Sequence, residues 1–214
     1  MRRRRRGRRN RDGYSRAPIK ASVGLFILAL LALFLTRFPT RTIPVPQELP
    51  DWIREAPLSV NPWSRPGTAM EAVSDIVVHY VGNPGTTAAQ NRSYFEGLSR
   101  SHETYASSNF LIGLEGEILL CVPIGEVAYC SGERNRDTLS IEVCHPDETG
   151  EFTAQSYASL IRLVNWLREF YGLSPENVIR HYDVTGKLCP KYYVEQPGAW
   201  EQFQRDLAAE AGTE

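Results

Sequence analysis

From residue 75 onward the chain changes its apolar period several times, and each change marks an element. Asp75–Val81 (DIVVHYV) is a short β-branched run closed by Gly-Asn-Pro-Gly, which predicts a buried strand followed by a turn. Thr86–Leu98 reads as a helix. Asn109–Leu114 and Glu117–Val122 flank Glu115-Gly116 and predict a hairpin. Thr138–Cys144 (TLSIEVC) is a further strand. From Thr153 to Tyr171, the residues Tyr157, Leu160, Ile161, Val164, Leu167 and Tyr171 recur at helical spacing. Thr153 is placed to cap that helix, and Gly172 and Pro175 to end it. Val178–Tyr182 reads as a short strand and Trp200–Ala211 as a closing helix. Strands alternating with helices predict an α/β domain with a mixed central sheet covered by helices.

Upstream the pattern is different. Ala21–Thr36 (ASVGLFILALLALFLT) carries no charge and shows no polar stripe, unlike a helix packed on a soluble core. With Ile19 and Phe38 at its edges it approaches the roughly 20 residues that cross a bilayer. The span 19–38 is therefore expected to be a transmembrane signal anchor. Arg37-Phe38-Pro39-Thr40 offers no small-residue cleavage signal, so the anchor is read as retained. Pro39, Pro44, Pro46, Pro50, Pro57, Pro62 and Pro66 follow. Proline removes amide donors, which excludes a regular helix or a central strand and predicts a semi-rigid linker over 39–68. Trp52, Ile53 and Trp63 within it are candidates for packing on the domain. The domain itself is expected over 69–214.

Charge sharpens this picture. The net charge of -1 hides a basic head: residues 1–20 hold nine arginines and Lys20 against Asp12 alone, leaving 14 bases against 24 acids in the rest. Such a head could contact nucleic-acid phosphates. Beside an apolar span it is better read as a cytoplasmic tail over 1–18, which holds the acidic body outside the membrane by the positive-inside rule. No nucleic-acid partner is expected.

The chemistry lies with few residues. Among four histidines, His79 ends an apolar strand before a glycine-rich turn, and His181 is expected at a similar place in VIRHYDVTGKLCP. Cys189 follows across a loop containing Gly186. Two neutral imidazoles and a thiolate are a natural ligand set for one Zn²⁺, with a fourth tetrahedral position left open. Spacing alone fits equally well with packing histidines and a buried apolar cysteine.

The ordered segments IVVHYVGNPG, SSNFLIGLEGEI, EVAYCSGERNRDTLSIEVCHPD and VIRHYDVTGKLCP resemble the zinc-dependent N-acetylmuramoyl-L-alanine amidases of the phage-lysozyme and peptidoglycan-recognition superfamily, over about residues 60–205. The resemblance implies His79, His181 and Cys189 as metal ligands, Glu142 as the catalytic acid and base, and Lys187 as a charge beside the metal. It implies peptidoglycan as substrate and wall remodelling by a membrane-tethered enzyme as the role. A membrane-tethered receptor that binds peptidoglycan without cutting it is the alternative. Many relatives carry a histidine where this chain has Cys130, so the role of that position is open. Asp183 is a candidate partner for a ligand imidazole or an ordinary turn aspartate. His102 is expected at the surface and His145 near the cleft.

Overall fold

The computed structural model describes residues 43–210. The basic tail and the expected transmembrane span lie outside them. No helix among the described residues is long and apolar enough to cross a membrane.

Six strands form one mixed sheet: β1 (Ile53–Glu55), β2 (Asp75–Tyr80), β3 (Phe110–Ile112), β4 (Ile118–Leu120), β5 (Thr138–Val143) and β6 (Val178–Arg180). Their order is β1-β4-β3-β5-β2-β6. The β3–β4 pair is the antiparallel hairpin expected around Glu115-Gly116, and the other pairs run parallel. Gly116 sits at φ 83°, a left-handed conformation that glycine adopts without strain.

Side chains alternate between the two faces of a strand. Ile76, Val78, Phe110, Ile112, Leu139, Ile141 and Val143 point to one face. Helices α2 (Ala154–Tyr171) and α4 (Pro197–Glu210) cover them with Leu160, Leu163, Val164, Phe203 and Leu207. Thr153 caps α2 by accepting from the Ser156 amide, and Gly172 ends it at φ 65°, both as the sequence predicts. On the opposite face, Leu111, Leu119, Cys121 and Cys144 pack against Phe95 and Leu98 of α1 (Ala88–Ser101). That single helix meets the β3–β4 side of the sheet. The same face of β2 and β5 carries His79 and Glu142.

Two sequence expectations change. In its described part the linker over 39–68 packs on the domain through Trp52, Ile53 and Trp63, as expected, and goes further than a spacer: Ile53–Glu55 adds a strand at the sheet edge, and Leu58 is 1% exposed. Proline bars a residue from central strands but not from flanking a short edge strand, and Pro50 and Pro57 stand on either side of β1. The second change is at β6, which stops at Arg180 instead of running to Tyr182. His181 opens a short helix, α3 (His181–Thr185). Asp183 causes this turn by accepting from the Arg180 amide at 2.8 Å and from its guanidinium at 3.0 and 2.7 Å. Asp183 is thus a capping aspartate and not a partner of the His181 ring.

Candidate active site

His79 and Glu142 are register partners on the adjacent parallel strands β2 and β5, so their side chains emerge side by side on one face. His181 reaches the same place from the first turn of α3. The chain then ends α3 at Gly186, φ 77°, and folds back. The Tyr182 amide donates to the Cys189 carbonyl at 2.8 Å, which sets the thiol beside the two imidazoles.

The three side chains converge. One donor atom from each of His79, His181 and Cys189 lies within 4.8 Å of the others, and all three residues are buried. Cys189 Sγ is 3.8 Å from His79 Nδ1, and the two rings are 4.6 Å apart at 58°. His79 Nε2 faces the Ser131 hydroxyl at 3.3 Å, so a residue outside the triad orients the ring. His181 Nδ1 is buried with no hydrogen-bond partner. Such an orphaned atom is costly unless something else occupies it.

The electrostatics suit a cation. Burial holds His79 well below the ordinary histidine range, helped by His181 and Lys187; burial and Lys187 lower His181 as well. Both shifts favour the neutral rings, whose lone pairs can donate to a metal. Burial and the charge of Glu142 push the Cys189 thiol up to about 12. A bound cation is what would draw off that proton. Two neutral imidazoles, a buried thiol and an unpartnered ring nitrogen fit a borderline-soft divalent metal.

Glu142 stands at the edge of this cluster. Burial raises its carboxyl to about 8, against the lowering effects of the Cys130 hydrogen bond and Lys187. The residue as a whole is partly exposed, but Oε2 is shut from solvent and has no partner. Oε1 accepts from the Cys130 thiol at 3.6 Å. His79, Cys130 and Glu142 form a second group of possible metal donors. Since Cys130 and Glu142 already bond to each other, the histidine–histidine–cysteine set is the better metal site.

A sequence profile described as N-acetylmuramoyl-L-alanine amidase matches residues 69–192, more than half of the chain. The chain belongs to this amidase family. A probable N-acetylmuramoyl-L-alanine amidase of Bacillus licheniformis is 32% identical over 160 residues, which cover 69% of this chain and 45% of the relative. The amidase CwlL of the same species is 31% identical over 162 residues, 70% of this chain and 45% of its own. This amidase-family chain thus spans less than half the length of these curated relatives. A mutant endolysin from Bacillus subtilis superposes with a TM-score of 0.61 at 26% identity, covering 72% of this chain and 97% of that one. The catalytic domain of XlyA gives the same score and identity, with 72% and 98% covered.

Within the amidase fold, the structure brings His79, His181, Cys189 and Glu142 together as the sequence anticipates. Lys187 is exposed, two residues before Cys189, and its charge reaches both imidazoles and Glu142. His145 packs against Tyr80 with the rings 5.0 Å apart and tilted by 32°, and its Nδ1 bonds the Asp147 carbonyl at 2.7 Å. His102 is exposed at the end of α1. All four cysteines are free. Ser131 and Asn135 carry no signal in the sequence that marks them as site residues. They lie in a polar turn with no periodicity, and only the register of β2 on β5 brings that turn to His79.

Proposed function

We propose that this chain is a zinc-dependent N-acetylmuramoyl-L-alanine amidase that cuts the bond between the lactyl group of N-acetylmuramic acid and the L-alanine of the stem peptide. The observation supporting it is the meeting of His79, His181 and Cys189 beside the buried carboxylate of Glu142. His79, His181 and Cys189 would hold the zinc, which when bound supplies a Lewis acid that polarises the scissile carbonyl and lowers the pKa of water.

The chain's own groups account for the remaining steps. Oε2 of Glu142 is unpartnered and so is free to accept a proton from the attacking water. Burial raises the carboxyl's affinity for that proton, and Glu142 can then return it to the leaving amine of L-alanine. Lys187 offers positive charge to the oxyanion that develops on the carbonyl. Ser131 keeps the His79 ring oriented.

The apolar span Ala21–Thr36 supports a tether to the cytoplasmic membrane, with the arginine-rich tail inside and the domain facing the wall. Tethering raises the local concentration of the domain at the inner wall surface. Wall remodelling is the role this placement fits.

Incubation of the purified chain with cell walls tests the reading. The expected result is zinc-dependent release of new alanine amino groups without new reducing sugars. Tight wall binding without release would favour a non-catalytic receptor. Glu142→Gln should keep zinc and lose turnover by about 10²-fold or more, the scale of losing a general acid–base group. Cys189→Ser should lower zinc content, since a neutral hydroxyl replaces a thiolate, and undiminished metal would remove Cys189 from the site.

A further inference from the structure

The two oxygens of Glu142 are not equivalent. Oε1 accepts from the Cys130 thiol at 3.6 Å, whereas Oε2 is buried and unpartnered. The terminal torsion of a glutamate is broad and nearly two-fold, so packing along the strand does not by itself decide which oxygen is presented. We propose that Cys130 is the positioning residue for Glu142: its S–H, donated to Oε1, orients the carboxylate and leaves Oε2 as the oxygen that handles the proton. This rests on the amidase reading of Glu142.

The thiol is itself held in place. Asn135 Oδ1 accepts from the backbone amides of both Cys130, at 3.0 Å, and Ser131, at 2.6 Å. One side-chain oxygen thereby fixes two consecutive residues with different duties. Cys130 turns toward the carboxylate, and Ser131 turns its hydroxyl toward His79 Nε2 at 3.3 Å. Asn135 is a positioning residue for both, acting through the backbone of the turn. Burial and the facing carboxylate keep Cys130 in its thiol form, so the S–H is available as a donor. A thiol is a weak donor, and its value here is directional.

The test uses the full chain in detergent, loaded with zinc. Cys130→Ala should lower kcat on cell walls roughly tenfold, the effect of losing one hydrogen bond to a charged group. KM and zinc content should hold. Cys130→Ser keeps a donor and should recover most of the loss. An infrared difference spectrum of wild type minus Cys130→Ala isolates the S–H stretching band of Cys130. That band should move when the acceptor is changed by Glu142→Gln, a response that a purely structural thiol would not give. Asn135→Ala should lower kcat and also speed zinc loss to a chelator, because both contacts loosen. Unchanged kcat in Cys130→Ala, or an S–H band indifferent to Glu142→Gln, overturns the proposal while wild-type cleavage leaves the amidase reading standing. A wild type that releases no alanine amino groups defeats that reading and this inference with it.

Discussion

Glu142 occupies a strand position where the neighbouring Ile141 and Val143 are wholly buried, and a carboxylate is expensive there without partners. Burial raises its folded pKa to about 8 from an ordinary value near 4.5. A raised pKa means that the folded state holds the proton more tightly than the unfolded chain. The associated stability is full below about pH 4.5 and is lost as pH climbs to about 8. Glu142→Gln carries no such proton. In zinc-free protein the variant should match wild type near pH 4.5 and exceed it at pH 8.5 by a few kcal/mol, on the order of the linkage energy. His79 and His181 shift in the opposite sense, adding stability above their ordinary range and losing it as pH falls; being present in both proteins, they largely cancel. Urea midpoints at the two pH values make the comparison, and a constant difference would show that the carboxylate is not desolvated. The glutamate itself was legible in the sequence, because a charge inside TLSIEVC breaks an apolar strand and coincides with a family motif. Its tie to Cys130 was not, since the spacing of 130 and 142 says nothing about which loop folds over β5.

At the scale of elements, the local signals held where local chemistry decides. Thr153 and Gly172 bound α2, and the glycine turn closes the β3–β4 hairpin, because caps and turns are satisfied by residues close in sequence. The signals failed where the partner is distant. Ile53–Glu55 pairs with Ile118–Leu120, more than sixty residues away, and three residues carry no periodicity to read. The segment after β1 is fastened further. Arg92 of α1 donates to the carbonyls of Ala56 at 3.0 Å and Pro57 at 2.6 Å, and Leu58 fills the core beneath α1. Leu58→Ala should therefore lower stability by about 2–5 kcal/mol, the range for truncating a buried leucine, with zinc content unchanged in the folded protein. Urea denaturation would measure it. A change below about 0.5 kcal/mol, typical of surface sites, would return this stretch to the status of a spacer.

At the scale of the whole molecule, composition divides the chain into three stretches. The first 20 residues concentrate arginine, the next stretch is uncharged, and the remainder is acidic. The described residues 43–210 carry the candidate site, and the tether proposed for 19–38 lies outside them. An arginine at the centre of a spanning helix costs roughly 2.5–3.5 kcal/mol on insertion scales. Leu28→Arg together with Leu31→Arg should then release the chain from membranes into the soluble fraction while sparing hydrolysis of isolated walls. Replacing Arg2–Arg6, Arg8 and Arg9 by serine should act differently. The span would stay apolar and, on the tethered reading, the chain would stay in the membrane, but the bias proposed to hold its N-terminus in the cytoplasm would be weakened. Protease added outside intact spheroplasts reads the result: the domain is digested from wild-type cells and partly protected in the serine variant. A domain protected in wild type as well would place it on the cytoplasmic side, away from its proposed substrate, and the tethered-amidase reading would fall even with every zinc ligand in place.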